Sequence, residues 1–370
     1  MRFDPRRVAL TLAAPVLAIV AAVGIASLVL VAAGDPVAEV WSTILQFPQP
    51  RNLTNIINNA STLYLSGLAV AIGFRMNLFN IGVDGQYRLA AFVAAVVAAQ
   101  GWLPGPLNIV LTIVVAMCVG AMWAGVAAVL KVTRGVSEVI STIMLNAIAT
   151  ALVAFLLRKA SVQEAGSNDI GTAPIPESSR MPGLSLVPDA PNQVNSFIIV
   201  AIAAGIAYAI LLNRTVFGFN LRATGRSETA AVASGIDVKR MVITAMLISG
   251  GVAGLVGMPL LLGEAYSYGL TFQTGLGFAG IAVALLGRNN PIGIAVGALL
   301  FAYLDEQSNP LQILVGVSDE IVKIVQGIVV LTVVIAYEVV RRYGVAQEQR
   351  NVARQLAAQR HRDAAEVSAP

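Results

Sequence analysis

Residues 107–130 read LNIVLTIVVAMCVGAMWAGVAAVL, a run without a single charged side chain. A helix of about 20 such residues is long enough to cross the hydrocarbon core of a bilayer. Residues 8–33 form a second uncharged run, which is longer than the apolar part of a signal peptide, so we interpret it as a retained first span. These runs predict an all-α fold, a polytopic transmembrane helical bundle.

Composition supports a chain embedded in lipid. The protein has 370 residues, of which 57% are hydrophobic and 12% are charged, whereas soluble domains carry about 25% charged residues. The 33 glycines suit helices that approach each other closely. With one cysteine, Cys118, no intrachain disulfide is possible.

The pattern of apolar runs predicts about ten spans. The third, eighth and ninth are short and flanked by Gly and Pro, which is typical of discontinuous or re-entrant helices that line a cavity. The predicted spans are residues 8–33, 54–74, 87–101, 106–130, 137–158, 196–213, 241–262, 273–287, 291–306 and 321–340.

Basic residues predict the orientation of these spans. With both termini cytoplasmic, all but five of the 24 Lys and Arg fall on the inner side, as the positive-inside rule requires. The transmembrane domain then covers residues 1–340. It includes a proline-rich extracytoplasmic loop at 159–195, which is either a linker or a platform for a binding protein, and a cytoplasmic coupling segment at 214–240. A charged cytoplasmic tail covers 341–370.

Catalytic motifs are missing from the sequence. None of the four lysines follows a glycine, so there is no Walker A motif. The only histidine, His361, lies in the polar tail, which argues against a metal site or a Ser-His-Asp triad. The sequence therefore does not indicate an enzyme, and if the chain takes part in ATP-driven transport, ATP hydrolysis is expected on a partner chain.

Two polar segments interrupt the apolar pattern. Residues 73–86 contain Asn80 and Gln86 between two spans, and they form either a capped cytoplasmic turn or a re-entrant gate beside the permeation path. In residues 135–146, helical spacing places Glu138, Thr142 and Asn146 on one face. An ion pair between Glu138 and Arg134 is the alternative to a functional role, and an interhelical hydrogen bond is the alternative for Asn146.

Residues 217–236 are basic and amphipathic. Ser227 is predicted to cap a short helix that carries Glu228 in its first turn, and Gly235 is predicted to end that helix. Such a helix suits docking into an ATPase, although binding of lipid headgroups explains Arg222 and Arg226 as well.

Four segments together resemble the branched-chain amino acid and ribose type of ABC permease, and its nucleoside-importing branch most closely. They are FNIGVDGQ at 79–86, GVSEVISTIMLN at 135–146, LRATG with SGI at 221–236, and IAVALLGRNNP at 281–291. Ser137 and Asp84 depart conservatively from the family pattern. The likeness covers about residues 50–340.

This resemblance implies an ATP-driven importer in a bacterial cytoplasmic (inner) membrane. The implied partners are an ABC ATPase subunit, a second related permease in a heterodimer, a substrate-binding lipoprotein and membrane lipid, but no nucleic acid. No cofactor is expected on this chain, because ATP and Mg²⁺ are used by the ATPase. Sugars or branched-chain amino acids are alternative substrates, and an ion-coupled secondary carrier or a membrane scaffold are alternative functions.

We select candidate residues from these segments. The substrate-pathway candidates are Asn58, Asn59, Tyr64, Phe79, Asn80, Gln86, Glu138, Thr142, Asn146 and Phe278. The ATPase-coupling candidates are Arg222, Ala223, Thr224, Gly225, Arg226, Glu228, Ser234 and Gly235.

Overall fold

A computed structural model describes residues 5–163, 170–318, 320–336, 338–340, 342–343 and 349. Most of the predicted tail, residues 341–370, lies outside this description. The chain divides into two compact units, one formed by residues 1–43 with 311–370 and the other by residues 44–310.

The helices follow the predicted spans closely. Six of them within the described ranges are long and apolar enough to cross a membrane: Pro50–Phe74, Gly105–Arg134, Glu138–Ala160, Phe197–Arg214, Val238–Ala265 and Glu320–Val340. In chain order the helices are α1 (Pro5–Ala33), α2 (Val37–Ile44), α3 (Pro50–Phe74), α4 (Val83–Ala99), α5 (Gly105–Arg134), α6 (Glu138–Ala160), α7 (Phe197–Arg214), α8 (Val216–Arg226), α9 (Glu228–Ala233), α10 (Val238–Gly254), α11 (Met258–Leu260), α12 (Leu276–Leu286), α13 (Pro291–Glu306), α14 (Ser308–Pro310) and α15 (Glu320–Val340).

The smaller unit contains α1, most of α2, a π-helical turn at Leu311–Val315 and α15. Within it, the indole Nε1 of Trp41 donates a hydrogen bond of 2.9 Å to Ser27 Oγ, which ties α2 to α1.

In the larger unit, α3 and α10 form the core. Most of the apolar window of each helix is buried inside the protein, whereas α5, α6 and α7 expose most of theirs. Polar α3 residues such as Ser66 and Thr54 are fully buried, so this helix is a span that faces protein rather than lipid.

Small residues allow α5 and α10 to pack closely. Gly120 of α5 lies directly against Gly250 and Gly254 of α10, so that a Cβ at any of these positions would overlap the backbone of the other helix. Small residues at a helix interface of this kind are the usual means of association in membranes.

In the long polar segment between α6 and α7, the described residues 161–163 and 170–196 form no long helix. Its strands β1 (Val162–Gln163) and β2 (Ile170–Gly171) pair antiparallel, as do β3 (Gly183–Leu184) and β4 (Val194–Asn195). The backbone amides of Thr172 and Ile175 donate to the carbonyls of Tyr268 and Tyr266, so the segment is fastened to the connection between α11 and α12.

We predict that Gly250→Ala lowers the unfolding free energy by about 1–3 kcal/mol, the usual cost of overpacking a well-packed interface. The new Cβ would collide with Ala124 and with the Gly120 carbonyl. Thermal unfolding of the purified protein in detergent measures this loss.

Gly251→Ala is the matched control, because the nearest atom to its Cβ is 3.7 Å away. The thermal-unfolding midpoint of Gly251→Ala should stay near that of the wild type. Equal midpoints for the two variants would contradict the packing described for α5 and α10.

Candidate functional site

Residues 75–82 connect α3 to α4 without forming a helix, and we call this connection the break. It is held by buried side-chain amides whose hydrogen bonds are formed within the protein. Asn80 is fully buried, and its Nδ2 donates to Gln86 Oε1 at 3.0 Å and to Ser249 Oγ at 2.9 Å. Its Oδ1 accepts from the Gly82 amide at 3.1 Å and from Gln86 Nε2 at 2.8 Å. Both donors and the acceptor of Asn80 are therefore used inside the protein.

The cluster continues into α10 and α6. Ser249 Oγ donates to the Ala69 carbonyl at 2.6 Å. Asn146 Nδ2 donates to the Ile81 carbonyl at 2.9 Å, and its Oδ1 accepts from the Gly85 amide at 2.8 Å. The interhelical hydrogen bond considered for Asn146 is therefore present, and this side chain anchors the break.

The ion pair expected between Glu138 and Arg134 is wrong in its partner. Lys131 Nζ lies 2.6 Å from Glu138 Oε2. The helix ends before Glu138, because Gly135 adopts a φ of 67° after Arg134. The chain reverses there, so the i−4 spacing of a continuous helix does not apply. Thr142 is fully buried, and its hydroxyl donates to the Glu138 carbonyl at 2.7 Å.

Helix α12 begins deep in the bundle. Asp84 of α4 accepts a hydrogen bond of 3.3 Å from the Gly277 amide in its first turn. The other end of α12 leads to Asn289, whose carbonyl accepts from Arg75 Nη2 at 2.7 Å and from the Tyr208 hydroxyl at 2.9 Å. Helix α12 has eleven residues and is therefore about 16 Å long, roughly half of a bilayer core.

Arg88 belongs to the predicted third span and lies in the second turn of α4, one turn beyond Asp84. Its Nη1 is 4.0 Å from Asp84 Oδ2 and donates to Thr150 Oγ1 of α6 at 2.8 Å.

The connection that precedes α12 contributes an aromatic group. Tyr268 stacks on Phe272 with ring centroids 4.5 Å apart and meets Phe92 edge-on at 5.7 Å. Burial raises the pKa of the Tyr268 hydroxyl, so the phenol stays protonated at neutral pH.

The aromatic candidates differ in exposure. Phe79 is 47% exposed and meets Phe74 edge-on at 5.1 Å. Phe278 is 54% exposed on α12. Tyr64 packs against Gly205 of α7 and lines an apolar groove of about 480 Å³ between α3, α7 and α13.

The asparagine cluster on α3 fastens other segments to this helix. Asn58 donates to the Gln193 carbonyl at 3.3 Å and accepts from the Asn195 amide at 2.8 Å. Asn59 Nδ2 lies 3.4 Å from Asp305 Oδ2 of α13. Both side chains are thus engaged in holding the fold, and a cavity of about 380 Å³ lies beside Asn58.

The connection between α7 and α10 consists of two short helices. As predicted, Ser227 caps α9, its Oγ accepting from the Ala230 amide at 3.3 Å, and Glu228 occupies the first turn. Ser234 and Gly235 end α9, and Gly235 has a φ of 82°. The coupling candidates Arg222, Ala223, Thr224, Gly225 and Arg226 belong to the preceding α8.

A junction joins α8 to the break. Asn77 Nδ2 donates to the Gly225 carbonyl at 2.7 Å. Gly225 lies so close to Arg75 that a Cβ would overlap the Arg75 carbonyl. Since Arg75 also donates to Asn289, the ends of α3, α8 and α12 meet at one point.

Sequence reasoning missed three polar residues of this site: Ser249, Arg88 and Tyr87, whose hydroxyl donates to the Gln273 carbonyl at 2.9 Å. Ser249 and Arg88 are polar residues in apolar surroundings, a signal that could have identified them.

The profile of the family described as branched-chain amino acid transport system / permease component matches residues 52–334. The chain belongs to this family. The four segments that carry the resemblance, from residues 79–86 to residues 281–291, lie inside the matched range.

Three relatives extend the comparison. A glucose ABC transporter permease protein of Haloferax volcanii is 31% identical and covers 95% of both chains. A guanosine ABC transporter permease protein of Bacillus subtilis is 33% identical over 88% of this chain and 93% of its own. A nucleoside ABC transporter permease protein of Lactococcus lactis subsp. cremoris is 31% identical over 78% of this chain and 80% of its own.

We predict that Asn80→Ala and Ser249→Ala each destabilise the protein by about 1–3 kcal/mol, because each leaves buried polar partners unsatisfied. The double variant should lose at least 0.5 kcal/mol less than the sum, roughly the coupling expected of contacting residues. Unfolding free energies in detergent provide the measurement.

Asn213→Ala is the control, since Asn213 is exposed and bonds only to the Ala209 carbonyl of its own helix. This substitution should leave the unfolding free energy nearly unchanged. Strict additivity of the two buried substitutions would show that Asn80 and Ser249 act independently.

Proposed function

We propose that this protein is the membrane-spanning permease subunit of an ATP-driven ABC importer for nucleosides. Family membership supports the permease role, and the relatives named for guanosine and for nucleosides support the substrate. The saturated break at Asn80 is the structural observation that favours transport, because such a break in a membrane requires a protein-lined interior.

The arrangement of charge favours a neutral solute. In the described part of α4, α5 and α6, Asp84 lies beside Arg88 and Lys131 pairs with Glu138. These pairs leave no excess charge on the faces that they occupy. A neutral nucleoside suits them better than an anion such as a nucleotide.

The partners are part of the proposal. A separate ATPase subunit, using ATP and Mg²⁺, would dock on α8 and α9, where Glu228, Val232 and Ser234 are exposed. A second related permease would complete the path, and a binding lipoprotein would deliver substrate to the segment between α6 and α7. No cofactor would reside on this chain.

The proposal also includes an arrangement of the helices in the membrane. About ten spans would place both termini in the cytoplasm of a bacterial inner membrane, with α8 and α9 on the inner side and the two hairpins outside. The junction of α3, α8 and α12 would then transmit movement of the ATPase to the half-length helix α12.

A sugar is the second candidate substrate, because the Haloferax volcanii relative is named for glucose. A nucleoside contains ribose, so a path that admits its sugar could admit a free sugar. Branched-chain amino acids are a third candidate, on the family description alone.

We predict that cells deleted for this gene lose uptake of labelled guanosine, adenosine and uridine, and that depletion of ATP abolishes uptake in the parent strain. Uptake of ribose, glucose and leucine should be unchanged. Uptake is measured over the first minute, with the ion gradient intact and collapsed.

Restoring the gene on a plasmid is the control. Loss of sugar or leucine uptake alone would show that the protein is a permease for that substrate and not for nucleosides. Uptake that follows the ion gradient and ignores ATP would refute the importer.

A further inference from the structure

Arg88 is a charged side chain inside the helix bundle of the larger unit. It lies one helical turn beyond Asp84, and Asp84 marks the level at which α12 begins, about 16 Å from the junction with Arg75. Its side chain is 17% exposed, and its partner Thr150 lies on the exposed face of α6. Part of the Arg88 side chain therefore reaches the surface of the larger unit, while its Nε is buried.

This surface is unsuited to contact with lipid tails. A charged group at the centre of a spanning helix is costly, and such groups face a bundle interior or a water-filled cavity. Asp84, 4.0 Å away, balances the formal charge of Arg88, but the guanidinium still requires polar surroundings. The face formed by Arg88 and Thr150 is therefore expected to line water or a second permease.

The residues that the structure describes engage the guanidinium only in part. Nη1 donates to Thr150, and the side chain also interacts with the Tyr268 hydroxyl. Nε is buried without a hydrogen-bond partner among the described residues. Thr150 in turn donates to the Asn146 carbonyl at 2.9 Å, which fixes the hydroxyl that orients Arg88.

We propose that Arg88 is a binding residue for the transported solute halfway across the membrane, and that Thr150 positions it. The group it recognises is a planar edge with two adjacent acceptors, such as O6 and N7 of a 6-oxopurine nucleoside. This inference rests on the nucleoside function proposed above.

The chemistry of the guanidinium supports this ligand class. Two N–H groups of arginine match the O6 and N7 acceptors of guanine in a bidentate contact. Adenine presents a donor in place of O6. The contact should therefore favour guanosine and inosine over adenosine, by about tenfold.

Accessibility of the face is tested with a charged thiol reagent on the assembled transporter in membranes. In a Cys118→Ser background, the Thr150→Cys variant should react at least about tenfold faster than native Cys118 of the wild type, and guanosine should slow this reaction. Cys118 is the matched control, since it is exposed near the middle of α5 among apolar side chains such as Val114 and Met122. Equally slow reaction at both positions would overturn the proposal.

Selectivity is tested by comparing KM values for guanosine, inosine and adenosine uptake. Arg88→Gln should reduce the preference for guanosine and inosine about tenfold, and Arg88→Lys should restore part of it. An unchanged preference in a variant that still transports would overturn the role of Arg88.

Thr150→Val keeps the test valid if the Arg88 variants fail to reach the membrane. It should raise the KM for guanosine more than the KM for adenosine. Thr133→Val is its control, because Thr133 is exposed and its hydroxyl bonds only to the Val129 carbonyl of α5. Identical KM values in both threonine variants would refute the positioning role.

The two tests separate this inference from the proposed function. A wild type that transports only sugars would refute the nucleoside function and the base contact together, while fast labelling at Thr150→Cys would still identify the face as water-lined. Nucleoside uptake combined with slow labelling would refute only the role of Arg88 and Thr150.

Discussion

The hydrogen bonds of Asn80 satisfy the constraint on which the rest of the larger unit depends. A stretch of chain that is not helical and lies buried among helices must satisfy its polar groups within the protein. Asn80, Gln86, Ser249 and Asn146 do so for the break between α3 and α4. Because the break is closed by side chains from α4, α6 and α10, these helices are fixed relative to one another.

The same constraint explains the start of α12. Its first turn packs against Asp84, where Gly277 leaves no room for a Cβ, and the Asp84 carboxylate accepts from the Gly277 amide. A negative group is favourable at this end of a helix. The other end of α12 meets Arg75 and, through Asn77, helix α8. Proposed movements at α8 therefore have a contiguous route to the buried start of α12.

The sequence predicted the helices better than their contacts. Apolar runs are local features, and the predicted ninth span at 291–306 coincides with α13. The cap at Ser227 and the stop at Gly235 were also confirmed, because capping depends on neighbouring residues.

Partners distant in sequence could not be predicted. Asn80 meets Ser249 across 169 positions, and a single sequence contains no signal for such a pairing. Glu138 was paired with the wrong cation, since the turn at Gly135 changes which basic residue faces it. The roles proposed for Phe79 and Phe278 remain predictions.

The measurement that tests the importer most directly is retention of the ATPase subunit by the purified permease carrying Val232→Asp. Val232 is 59% exposed on α9, so a charge there should abolish ATPase retention and ATP-driven uptake without unfolding the protein. Val136→Asp, in the turn between α5 and α6, is the matched control and should retain both. Undiminished ATPase retention and uptake in Val232→Asp would contradict docking through α9.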